Sequence, residues 1–308
     1  MLDESELLDG KYSVQEVVRH HPDGMTVVGR PFSGSPSRVL IRVFRAEMWN
    51  PFQAAPLLAT MQGFARIHSD YMVRVFDVSV SDASAYIVTE YLEGPDLECW
   101  LDQRGSLPLS LAVDFVLQAC HAVASAHALG ILHRDLKPAS LFVCHTGTEA
   151  LQPNGATPYR GNAAPTPTAS IKVVGWGTAC MYRPAAVNDD APYWSPDQMR
   201  SERNVDARSD IWSLGATLTE LITGRVPFEG PGLLDTYSRI ISGKPPNLRN
   251  LFPSLPRGLE ATIFKCLEVD PRKRHQTVAD LAAALSEFAS EHMKPLVGRI
   301  CALPKPTA

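Results

Sequence analysis

A carboxylate and an ammonium stand two residues apart in the run His133-Arg134-Asp135-Leu136-Lys137-Pro138. Carboxylate and ammonium are side-chain types that acid–base chemistry uses, and what this pair can do depends on the elements that hold it. Other reactive side chains are less well arranged. The six cysteines, Cys99, Cys120, Cys144, Cys180, Cys266 and Cys301, lie far apart and show neither C-x-x-C nor Cys/His ligand spacing. That pattern argues against a thiolate metal site and for reduced thiols in the cytoplasm. His20 and His21 are adjacent near a turn, where such a pair can meet phosphate or metal but is more commonly solvated.

The Asp135 run needs elements to hold it. Before it, Val113, Val116, Leu117, Cys120, Val123 and Ala124 make one apolar stripe ending at the stop signal Gly130, which predicts a long helix. After it, Leu141-Phe142-Val143 is strand-like. Upstream, from Tyr12 to about Tyr91, short β-rich runs dominate: Tyr12 to Val18, Met25 to Val28, Arg38 to Phe44, Met72 to Val80 and Ala85 to Glu90. One poor helix, roughly Ala54 to Ile67, interrupts them; it begins near Pro56 and is weakened by Gly63. From Leu92-Glu93-Gly94-Pro95 onward the pattern is helical. Ser209 is the expected cap of a helix carrying Ile211, Leu214, Leu218 and Leu221 up to Gly224, and Thr277 with Asp280 forms a capping box. Further helices are predicted around Leu233 to Ile241 and Leu259 to Leu267.

With 308 residues, 45% of them hydrophobic, and a net charge of −4, the chain suits a globular domain. Its scattered Lys and Arg give no nucleic-acid footprint, and no run of about eighteen apolar residues announces membrane insertion. The acidic, Leu-bearing residues 1–10 read as a solvated tail, or as a short amphipathic docking turn. The stretch 145–170 is rich in Gly, Pro, Thr, Ala and Asn and reads as a flexible insertion. After Met293, Pro295, Pro304 and Pro306 point to an irregular tail.

The Asp135 run in this context resembles the catalytic loop of the bacterial, eukaryote-like (Hanks-type) Ser/Thr protein kinases. Successive landmarks fit in order: Tyr193-Trp194-Ser195-Pro196-Asp197, then Asp206 to Gly215, then Thr223-Gly224-Arg225-Val226-Pro227-Phe228, and finally Asp270-Pro271-Arg272-Lys273-Arg274. The resemblance implies an α+β, two-lobed protein kinase-like fold over residues 11–289. Its small β-rich N-lobe spans about 11–91 and its larger, mainly α C-lobe about 92–289, with tails at 1–10 and 290–308.

The same resemblance implies chemistry that this chain lacks in several parts. Where a Gly-rich loop should cradle phosphates, the chain reads Val18 to Met25 with only Gly24 and an added Pro22. Leu40 stands where a small residue should admit adenine, and Arg42 stands where Lys should touch phosphate. With Gly24 and Glu90, these positions form a weakened or lost nucleotide site. Ala59 falls at the helix Glu position, and no acid occurs between Met48 and Ser69. Asp135 and Lys137 are retained at the catalytic positions. Ser140 replaces the metal-binding Asn, and Gly175 replaces the metal-bridging Asp ahead of Trp176, whose expected place is the inter-lobe cleft. Asp190 stands where a Thr hydroxyl is usual and would repel Asp135, while no Ser or Thr lies between Cys180 and Tyr193. Asp197 is expected to pair with Arg274, and Asp210 to tie back to the catalytic loop.

Selective damage to chemistry beside a persisting frame implies a pseudokinase. Such a module signals or scaffolds through a protein partner, such as an active kinase or its substrate, and is expected to need no cofactor or metal. One alternative is an active, atypical kinase using ATP and Mg²⁺, with Arg42, another basic residue such as Lys11, Arg30 or Arg38, and an acid such as Asp189 rebuilding the site. Another is a nucleotide-binding switch without transfer.

Overall fold

A computed structural model describes residues 7–21, 24–33, 36–44, 62–65, 67, 69–80, 85–145, 169–176, 191–200 and 205–305. The chain divides into a smaller unit, Met1–Ile67 with Val73–Glu93, and a larger one, His68–Met72 with Gly94–Ala308.

The smaller unit is an antiparallel sheet of β1 (Leu7–Leu8), β2 (Tyr12–His21), β3 (Gly24–Pro31), β4 (Val39–Phe44), β5 (Val75–Val80) and β6 (Ala85–Glu90), in the order β1-β2-β3-β4-β6-β5. Alternation drives it. Val39, Ile41 and Val43 of β4 are buried while Leu40 and Arg42 are half-buried, as a period-two strand requires. Leu8, Tyr12, Val14, Val27 and Tyr86 complete the core with Val88. The sheet curls until its two ends meet. Asp77 of β5 accepts from Lys11 Nζ at 3.0 Å and from the Tyr12 hydroxyl at 3.1 Å. Asp9 accepts from Tyr86 at 2.9 Å and from Ser79 at 3.0 Å. Residues 7–10 are therefore docked by Leu8 and Asp9, and the expectation of a solvated tail does not hold for them. Of the helix expected over Ala54 to Ile67, only residues 62–65 and 67 are described, with 62–64 helical.

The larger unit is mainly helical: α1 (Leu97–Arg104), α2 (Leu109–His127), α3 (Pro196–Arg200), α4 (Ala207–Thr223), α5 (Leu233–Ser242), α6 (Leu248–Leu251), α7 (Arg257–Cys266), α8 (Val278–Leu285) and α9 (Lys294–Ala302). A hairpin of β7 (Leu141–His145) and β8 (Ala169–Val173) accompanies them. Between these strands, residues 146–168 of the predicted insertion lie outside the described residues. The whole predicted stripe of α2 is buried. This helix is long and apolar enough to span a bilayer, but its burial marks it as the central helix of the unit.

The α4 cap is Asp206, whose side chain accepts from Arg208 N–H at 2.8 Å, not Ser209, which is buried inside the first turn. The helix stops at Gly224, in the left-handed conformation (φ 70°) that glycine adopts without strain. The Thr277–Asp280 capping box of α8 forms in both directions, at 3.1 and 2.9 Å. Where an irregular tail is expected, α9 runs with Leu296, Val297 and Ile300 buried. Pro295 sits in its first turn, the one helical position where a missing N–H costs nothing.

Candidate functional site

The loop after α2 is built around one buried carboxylate. Asp210, in the first turn of α4, accepts from the backbone N–H groups of His133 (2.9 Å) and Arg134 (2.7 Å) and from His127 Nε2 (2.7 Å). Burial raises its carboxyl, but the His127 hydrogen bond, the nearby imidazoles and the His133 N–H together hold it below the ordinary carboxylate range. Arg134 has φ 68°, a conformation that costs a side-chain-bearing residue roughly 1–2 kcal/mol. Two amides gathered on one carboxylate hold the chain in that conformation.

His133 is the second fixed point. Its Nε2 lies 2.9 Å from Val174 O, which can only accept, so Nε2 carries the hydrogen and Nδ1 accepts from Asp135 N–H at 3.2 Å. Burial pulls this imidazole down to about 4, so it is neutral at physiological pH. The side chains of Asp135 and Lys137 meet, with Lys137 Nζ 3.1 and 3.2 Å from the two carboxylate oxygens.

The residues at the metal positions do not fit Mg²⁺. Ser140 Oγ is committed to its own loop, donating to Lys137 O at 2.7 Å and accepting from Lys137 N–H at 3.0 Å. Gly175 supplies no side chain, and its φ of 84° favours glycine over any residue that could. Among the described residues, no three His, Cys, Asp or Glu side chains gather as a metal site. Trp176 is buried against His133, ring centroids 4.5 Å apart, with Nε1 donating to Val173 O at 3.0 Å. Its ring packs on the loop of its own unit.

The frame positions come together. Asp197 lies 2.6 Å from Arg274 Nη2, which also donates to Val269 O (3.2 Å), while Nε and Nη1 donate to Glu268 O (2.7 Å) and Arg208 O (3.0 Å). Gln198 Nε2 donates to Arg134 O at 2.7 Å. Sequence reasoning missed this contact, along with the His127 bond to Asp210 and the hydrogen bond from Tyr193 to Glu220, and no local pattern announces them.

In the smaller unit, the strands that flank the segment expected to be a phosphate loop are paired up to its edge. Pairing of β2 with β3 continues through His20↔Met25 to His21↔Gly24. His21 is thus a strand residue, with Nε2 2.9 Å from Thr26 Oγ1. Gly24 is required by packing: a Cβ there would lie 2.0 Å from Val43 O. The Arg42 guanidinium lies 4.8 Å from the Phe44 ring centroid. Leu40 O accepts from Thr89, and Glu90 is bound to Arg74, accepting its N–H at 2.8 Å and donating to its carbonyl at 2.9 Å. Of the basic residues considered as substitutes, Lys11 is paired with Asp77 and Arg38 lies 4.1 Å from the Tyr91 ring centroid. Ala59, Asp189 and Asp190 lie outside the described residues.

A family model described as protein kinase domain matches residues 43–284. Serine/threonine-protein kinase PknB of Mycobacterium leprae is 30% identical over 259 residues, which cover 80% of this chain and 38% of that protein. Serine/threonine-protein kinase Pkn1 of Myxococcus xanthus is 29% identical over 266 residues, covering 84% of this chain and 35% of the relative. The chain thus spans little more than a third of either. The crystal structure of the Mycobacterium tuberculosis PknI kinase domain superposes with a TM-score of 0.70 at 21% identity, covering 94% of this chain and all of that one.

Proposed function

Since the chain belongs to the protein kinase domain family, we propose that it is a pseudokinase of the Ser/Thr branch, a signalling or scaffolding module with little or no phosphoryl transfer. The observation that carries this reading is Gly175: the position that should bridge metal and phosphates has no carboxylate, and its φ of 84° disfavours one. Ser140, already bound to its own loop, and the hairpin paired as far as His21↔Gly24 support it. The partner is a protein, such as an active kinase or its substrate. We assign the module to the cytoplasm, with no nucleic acid and no membrane insertion; free cysteines among the described residues are in keeping with that compartment.

The second reading is an atypical Ser/Thr kinase using ATP and Mg²⁺. Two observations favour it: Asp135 and Lys137 keep a 3.1 Å contact, and the relatives are named as kinases. Transfer from labelled ATP decides. The pseudokinase reading expects equal background labelling of a protein substrate by the wild type and Asp135→Ala; labelling that vanishes in the variant overturns it. A thermal shift separates a nucleotide-binding switch, since a ligand at about 100 times its Kd adds about 2.7 kcal/mol and a non-binder adds nothing.

A further inference from the structure

The two residues ahead of Gly175 have each of their backbone polar groups engaged. Val173 N–H donates to Tyr71 O at 2.9 Å, and Val173 O accepts from Trp176 Nε1 at 3.0 Å. Val174 N–H donates to Ser140 O at 2.9 Å, and Val174 O accepts from His133 Nε2 at 2.9 Å. Three of these partners belong to other parts of the larger unit, so they cannot travel with the stretch. Val173 is also the middle member of a strand triplet, paired with Leu141 on one side and bridged to Met72 on the other.

The fourth partner, Trp176, closes the turn onto itself. Its N–H reaches past Gly175 to the carbonyl three residues back, fastening the turn in which Gly175 holds φ 84°. Its ring is buried, edge to face with the His133 imidazole at 4.5 Å between centroids. Phenylalanine would fill much of the same space but has no donor for Val173 O. Moving the turn breaks these bonds together and exposes a large apolar ring. We propose that Trp176 locks the Val173–Trp176 turn in one conformation, making it a fixed support for the loop around Asp135 and not a moving relay.

A relay between two sites needs an element with two arrangements, one of which a ligand favours. The turn at Gly175 has one arrangement, fixed when the chain folds, and Gly175 has no side chain through which a bound ion could pull on it. The loop around Asp135, tied to the turn through His133 and Ser140, is therefore offered to a partner in a constant form whatever the nucleotide supply. That scaffold role deepens the pseudokinase reading and rests on it, whereas the lock concerns this turn alone.

Amide hydrogen exchange of the full chain, followed residue by residue by NMR in rising, sub-denaturing urea, tests the lock. In the wild type, Val173 and Val174 should exchange only through global unfolding, quickening with urea as steeply as the amides of α2. In Trp176→Phe the same two amides should exchange about tenfold or more faster relative to those of α2 and lose their urea dependence, because losing one buried hydrogen bond opens a local route. Urea-independent exchange of the two amides in the wild type overturns the proposal, and so does exchange in Trp176→Phe that still tracks α2. Should Trp176→Phe fail to fold, the wild-type slopes decide alone. Failure of the pseudokinase reading shows elsewhere: transfer of label from ATP that vanishes in Asp135→Ala removes the scaffold role while the exchange slopes stand.

Discussion

Two neighbouring stretches of the larger unit are held with equal care but equipped differently. The loop from His133 to Ser140 keeps its acid and its lysine, and a buried carboxylate binds two of its backbone amides. The stretch from Val173 to Trp176 is just as firmly placed, through Val174 N–H to Ser140 O at 2.9 Å and Trp176 Nε1 to Val173 O at 3.0 Å. At Gly175 it offers no side chain to carry charge. Order is therefore preserved in both stretches whatever their chemistry, because hydrogen bonds that fix a backbone do not supply a ligand for a cation.

The comparison breaks most easily at Asp210. Asp210→Ala strands two amides and His127 in a buried place and should cost about 3–5 kcal/mol in urea unfolding; a loss below about 1 kcal/mol would mean that the loop is held by something else. Next is Asp197→Ala, which leaves Arg274 buried but still donating to three carbonyls. That residual satisfaction limits the expected loss to about 2 kcal/mol by the same measurement. The smallest effect should come from Gly175→Asp, at about 1 kcal/mol for a side chain at φ 84°. This variant should gain no thermal shift with ATP and Mg²⁺. If it binds both without losing stability, the second stretch is one substitution from use and the contrast with the first disappears.

What the sequence disclosed depended on how local each cause was. The Thr277–Asp280 box was legible because both partners sit within one helical turn. Asp206, Ser209 and Asp210 are three plausible caps in five residues, and choosing among them needs the partners of Asp210, which come from 76, 77 and 83 residues away. Pro295 reads alike as a tail residue or as a first-turn residue, and only the burial of Leu296, Val297 and Ile300 separates the two. At the candidate site, the missing acid at Gly175 was plain in the letters, but its left-handed backbone was not. The extension of β2 to His21, beyond the expected Tyr12 to Val18, was hidden because Arg19, His20 and His21 carry no alternating apolar pattern.

Asp9 and Lys11 reach across to β5, the last strand of the curled sheet, by way of Ser79 and Asp77. An unshielded outer strand is a template on which another copy can add its own backbone. Trimming the chain to begin at Tyr12 would strip that guard along with Leu8, and an apparently harmless truncation would yield a self-associating, poorly soluble product.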